Sequence, residues 1–227
     1  MKKIIRAFTN FWNEDRSLTV LMLLLMLFIF VFVPIMGRGR IGEIIFKFIY
    51  SIILISGIFS VVKRKSYLPL AIVFIIIGLS INWFSEIETT NATLIANNVG
   101  AILFNLFFAF AILIKTFQPG DITFHRIEGS VVVYLLLGLV FAYSFHVIYL
   151  VYGITAFNNI QGPEFKDFLY FSFTSLTTMG YGDITPVHSV ARSVANFEAV
   201  IGQLYPAILI ARLVSMEFES SIRKKGI

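Results

Sequence analysis

The sequence predicts an all-α membrane protein: six transmembrane helices, with a re-entrant half-helix and a glycine-containing loop between the last two. Three observations carry this prediction. Of the 227 residues, 58% are hydrophobic and only 14% charged, where soluble domains run at roughly a quarter charged. The apolar residues gather into runs near the length of about 20 that crosses a bilayer. One further apolar, aromatic segment is too short to cross, and it ends in Gly180-Tyr181-Gly182.

The remaining composition narrows the function classes. Mean hydropathy is +0.86 and the sequence pI about 9.5, with a net charge of +5. The basic residues stand between the apolar runs, the pattern of a membrane protein's cytoplasmic loops and not of a nucleic-acid face. No nucleic-acid partner is expected, and membrane lipid is. The absence of cysteine excludes disulfides, thiolate catalysis and zinc–sulfur sites. The histidines at 125, 146 and 188 are too scattered for a metal-ligand cluster. No nucleophile–base set and no phosphate loop is present, so the chain is not read as an enzyme and needs no organic cofactor.

Taken in order, residues 1–17 form a basic N-terminal segment, and the first run spans Leu18 to Met36. It is too long for a signal-peptide core and no small-residue cleavage site follows, so it is a retained helix. The second run, about Ile44 to Val62, stops at Lys63-Arg64-Lys65; the third is Leu68 to Phe84, and the fourth lies within Ala92 to Phe117. Residues 18–117 are thus a four-helix peripheral domain. A linker over 118–129 leads to a second domain at 130–214, and 215–227 is a short tail. The fifth run lies in Ser130 to Gly153 and the sixth in Ser189 to Val214. An N-terminus inside the cell keeps Lys2, Lys3, Arg6, Arg16, Lys63, Arg64, Lys65, Lys115, Arg126, Arg212, Arg223, Lys224 and Lys225 in the cytoplasm. Only Arg38, Arg40, Lys47, Lys166 and Arg192 then lie outside, so the positive-inside rule places both termini in the cytoplasm of a multi-pass plasma-membrane protein.

Glu164 to Thr178 (EFKDFLYFSFTSLTT) is the anomaly. Non-helical backbone at membrane depth is tolerated only where protein buries it or it lines a watery path. A half-helix that enters, stops and returns as an extended loop meets that condition. Its C-terminal dipole end is negative and suits a cation near the bilayer centre. For successive carbonyls in Thr177-Thr178-Met179-Gly180-Tyr181-Gly182-Asp183 to share one axis, ordinary and left-handed dihedrals must alternate. Glycine adopts the latter without steric cost, which accounts for Gly180 and Gly182. Stacked rings of such oxygens can replace a dehydrated ion's water shell.

Thr178-Met179-Gly180-Tyr181-Gly182 resembles the potassium channel signature T-V-G-Y-G, with Met in place of Val, and the resemblance covers about Gly129 to Val214. It implies a tetrameric pore in which the carbonyls of Thr178, Met179, Gly180 and Tyr181 bind K+, with Gly182 completing the filter. A single chain supplies a quarter of each oxygen ring, so the resemblance implies a closed homotetramer. Thr177 and Asp183 flank the filter as supports. The family often has an aromatic donor eight residues before the signature Thr, bonded to the Asp after the filter. Tyr170 and Asp183 stand in those positions, and Tyr170 is equally read as an aromatic of the membrane interface. The family's inner helix often bends at a glycine. Gly202 stands there and is either a hinge or a close-packing site. Pro206 removes a helical hydrogen bond one turn on. Ile210 and Val214 follow on the same stripe, either as apolar gate rings or as residues facing the fifth helix.

Glu198 is an acid inside the sixth run, and an ionised carboxylate there needs a partner. It supports the back of the filter or pairs with Arg192. Voltage sensing needs a series of charges in the fourth helix, each worth about 2.3 kcal/mol per 100 mV. From Ala92 to Ile114 there is no Lys or Arg, so voltage gating is not expected. The reading is a K+-selective channel subunit. Its rivals are a non-selective cation channel, a K+ transporter subunit (which carries several filter-like repeats per chain, whereas this chain has one), and a membrane protein with a coincidental motif.

Overall fold

The computed structural model describes residues 14–35, positions 45, 48, 49, 51–53 and 56, and residues 90–117, 124–160 and 164–225. Among these residues, four helices are long and apolar enough to cross a membrane: Leu18–Ile35, Asn91–Ile114, His125–Thr155 and Ser189–Phe218. They correspond to the first, fourth, fifth and sixth runs. Most of the second run and all of the third lie outside the described residues.

The first span starts as α1 (Glu14–Leu27), loosens into a π-helical stretch (Phe28–Phe32) and ends as α2 (Val33–Ile35). The Val33 N–H bonds to Phe28 O, five residues back. The cause lies in Pro34, which has no N–H to offer the Phe30 carbonyl, so the ladder shifts register just before it. Then come α3 (Asn91–Thr116) and α4 (Phe124–Tyr152). A 3-10 turn (Gly153–Thr155) leads to β1 (Phe157–Asn158), followed by α5 (Phe165–Leu176), β2 (Thr185–Pro186) and α6 (Ser189–Lys225).

Among the described residues, two cores organise the structure. Leu21, Leu25 and Phe28 of the first span, Phe108 and Ile112 of α3, and Val132, Leu136 and Leu139 of α4 form the first. Phe145 of α4, Phe157 of β1, Phe168 and Phe171 of α5 and Ala191 of α6 form the second. The second is mostly aromatic: Phe145 meets Phe171 edge-on at 4.8 Å, and Phe157 meets Phe168 at 5.8 Å. Close packing of these rings, by dispersion and edge-on ring contacts and not by exclusion of water, holds α5 against α4.

Two helix ends differ from the sequence expectation. The fifth helix begins at Phe124, within the segment read as linker, and the sixth continues to Lys225, through the segment read as tail. Both extensions carry residues that make tertiary contacts. Glu128 is buried because it accepts from Thr19 Oγ1 at 2.8 Å and lies 3.0 Å from His125 Nδ1. Met216 is buried, its sulfur 3.8 Å from Arg126 Nη1. Asn98 and Asn105 donate to carbonyls one turn back in their own helix, those of Leu94 and Ala101.

Candidate functional site

Helix α5 has 12 residues, about 18 Å at 1.5 Å per residue, and so stops well inside a hydrocarbon core of about 30 Å. Its start is set by Asp167, whose Oδ2 accepts the Glu164 N–H at 2.9 Å. At its C-terminus the ladder unwinds. Thr178 N reaches Ser175 O at 2.9 Å, and Gly180 N reaches Thr174 O at 3.0 Å. The Leu176 carbonyl accepts from the Tyr134 hydroxyl of α4 at 3.2 Å.

The loop that follows alternates in backbone hand. Thr178 (φ 57°), Gly180 (φ 53°) and Gly182 (φ 78°) are left-handed, whereas Met179 and Tyr181 between them are not. Sequence reasoning assigned that conformation to the two glycines; Thr178 shares it. Met179 and Tyr181 are exposed on the subunit. The Tyr181 ring lies nearly parallel to Tyr170 of α5, centroids 6.4 Å apart. The Tyr170 hydroxyl faces the Asp183 carboxylate. This pairing holds Asp183 below the ordinary carboxylate range and pushes the Tyr170 hydroxyl up to about 12. Thr177 turns back, its hydroxyl donating to Phe173 O at 2.6 Å.

The segment after the glycines is tied to the loop between α4 and α5. Asn159 Nδ2 donates to Asp183 O at 2.9 Å, β1 pairs antiparallel with β2, and Val187 N and His188 N both reach Ala156 O. From α6, Gln203 Nε2 donates to Thr178 Oγ1 at 3.0 Å. Gln203 is thus a contact of the loop that sequence reasoning did not single out, since no local pattern links positions 25 residues apart.

Glu198 is fully buried behind α5. It does not pair with Arg192, whose Nε donates to Pro186 O at 3.1 Å. Its Oε1 lies 2.6 Å from Ser172 Oγ of α5, which also lies 2.8 Å from Gly138 O of α4. Gly202 is buried against the end of α5: a β-carbon there would collide with the Leu176 carbonyl. The structure therefore gives Gly202 a packing role. The helix is unbroken across Pro206. Ile210 and Val214 are 61% and 64% exposed, so neither packs on the fifth helix. Phe197, Val200, Leu204 and Ile208 form one apolar stripe along α6 that the described residues leave exposed, and Ile210 and Val214 stand exposed on another side of the same helix. Among the described residues, no group of three or more His, Asp or Glu gathers to hold a metal.

A half-helix ending inside an apolar bundle, an alternating loop and a long, exposed apolar helix thus stand together in residues 164–225. Residues 129–219 match the family described as Ion channel, which supports the resemblance to the potassium channel superfamily. Over 49 residues the chain is 43% identical to protein LctB of Bacillus caldotenax, and equally to protein LctB of Geobacillus stearothermophilus. These matches cover 22% of this chain and 36% of each relative's length. No solved structure matches the chain.

Proposed function

We propose that the chain is one subunit of a homotetrameric, K+-selective channel of the plasma membrane, with both termini in the cytoplasm and passive permeation through the loop 178–182. The observation that carries this reading is the alternation of left-handed residues at Thr178, Gly180 and Gly182 immediately beyond the C-terminus of α5. That alternation is what aligns successive carbonyls, and the helix end adds a partial negative charge at the same place. In this reading the carbonyls of Thr178, Met179, Gly180 and Tyr181 bind K+; Thr177, Tyr170, Asp183 and Glu198 support them from behind; and Ile210 and Val214 close the cytoplasmic mouth below Gly202 and Pro206.

The tetramer is supported by the uncovered α6 surface. Four copies related by a closed rotation would bury it and complete the oxygen rings. The test is a planar-bilayer recording of the purified full chain with K+ on one side and Na+ on the other. A reversal potential that follows the K+ gradient supports the proposal. A reversal near zero makes the chain a non-selective cation channel, and absence of any current overturns both.

A further inference from the structure

Ser172 stands between two acceptors. Its Oγ is 2.6 Å from Glu198 Oε1 and 2.8 Å from Gly138 O, and all of these groups are in the buried junction of α4, α5 and α6. A serine hydroxyl has one proton. With an ionised Glu198 that single proton serves one contact only. The other becomes two lone-pair-bearing oxygens pressed together within 2.8 Å with no hydrogen between them. The far carboxylate oxygen, Oε2, is buried without a hydrogen-bond partner. Among the described residues Glu198 makes no ion pair, and the titratable side chain facing it is the hydroxyl of Tyr134 from α4. An unpaired buried carboxylate is among the most unfavourable arrangements in a protein.

We infer that Glu198 is a neutral carboxylic acid whose Oε1–H donates to Ser172 Oγ, while Ser172 donates in turn to the Gly138 carbonyl. Two protons then serve two contacts. Oε2 becomes an uncharged carbonyl oxygen, far less unfavourable to leave unpaired than a carboxylate. The chain of bonds runs from α6 through α5 to α4, so one acid proton joins the three helices of the pore unit just behind the half-helix. Glu198 acts here as a positioning residue: it touches no loop oxygen and sets where α5, and hence the loop at its end, is held. The proton assignment stands on this geometry; only its effect on ion flow rests on the proposed channel function.

The test is infrared difference spectroscopy on the full chain reconstituted in phosphatidylcholine–phosphatidylglycerol vesicles at neutral pH. Wild type minus Glu198→Gln should show the C=O stretch of a protonated, hydrogen-bonded carboxylic acid, lost in the variant, with the carboxylate bands unchanged. Loss of carboxylate bands with no acid band overturns the inference. Should Glu198→Gln not assemble, Ser172→Ala reports the same proton: the acid band should move to the frequency of an acid that has lost its acceptor. A wild-type spectrum with no acid band overturns the inference whatever either variant does. No current is needed for this readout. An acid band in a protein that conducts without selectivity would therefore sink the K+ reading and leave the proton assignment standing.

Discussion

Gly202 of α6 lies directly against Leu176, the last residue of α5: a β-carbon at Gly202 would strike the Leu176 carbonyl oxygen and stand 2.7 Å from its carbonyl carbon. The obstacle is backbone, and it belongs to the residue that precedes the loop. Close approach of the two helices therefore depends on glycine at this position, and the separation is transmitted to Thr177 and Thr178 one and two residues on.

Gly202→Ala should accordingly destabilise the assembly by about 1–3 kcal/mol, the usual range for overpacking a close contact. Thermal denaturation of the purified protein measures this. A pure hinge would instead tolerate alanine with unchanged thermal stability and altered gating kinetics, and that result would remove the packing role.

Gly180 and Gly182 have open space around the position of an added β-carbon, so their requirement is one of backbone conformation. Alanine in the left-handed region costs about 1–2 kcal/mol. Either substitution should abolish selective K+ current while surface labelling still finds the subunit in the membrane. Full current with unchanged selectivity in either variant contradicts the assignment of 178–182 as filter.

The Tyr170–Asp183 pairing gives a pH prediction of definite sign. Asp183 is held below its ordinary 3.8, so its contribution to stability is complete above that value and fades as pH falls below it. Tyr170 is raised from 10.0 to about 12, so its contribution is complete below 10.0 and is lost as pH climbs toward about 12. The pairing of a neutral Tyr170 with an ionised Asp183 is thus expected throughout the neutral range. In Tyr170→Phe the Asp183 carboxyl should titrate at its ordinary value, read by carbon NMR of labelled aspartate. Identical titration in both proteins shows that the pairing is absent in the membrane.

Helix α3 has one basic residue, Lys115, in its last turn. Moving a charge through the membrane field supplies about 2.3 kcal/mol per 100 mV, so a helix without a charge series lends little voltage sensitivity. Conductance should vary shallowly with voltage. Steep activation that vanishes only when Lys115 is neutralised would contradict this expectation.

Ile210 and Val214 lie one turn apart on α6 and are both exposed. In a fourfold assembly they would form apolar rings that close by dewetting. Ile210→Asp or Val214→Asp should hydrate the constriction and raise open probability in single-channel records. Unchanged open probability in both, with cysteines placed there equally accessible to thiol reagents in closed and open conditions, moves the gate elsewhere.

Local chemistry by itself determined that this chain belongs in a membrane, because no core of this size could bury so many long apolar runs. It also determined that α5 could not span, and that Gly180 and Gly182 would take left-handed backbone, since both follow from a dozen consecutive residues. What it could not reach are contacts between distant segments. Ser172 is an ordinary helical serine until α4 and α6 bring Gly138 and Glu198 to its hydroxyl. Gly202 is equally a hinge or a notch until Leu176 fills the notch. Phe30 of the π-helical stretch meets Phe173 of α5 edge-on at 5.5 Å, a contact between segments far apart in the chain. Near the ends of α4 and α6, Glu128 likewise finds Thr19 and Met216 meets Arg126, pairings between segments distant in the chain. Periodicity and composition dictate which element forms; which faces meet is settled only when packing selects one arrangement of those elements, and the polar groups behind the loop have no partners until it does.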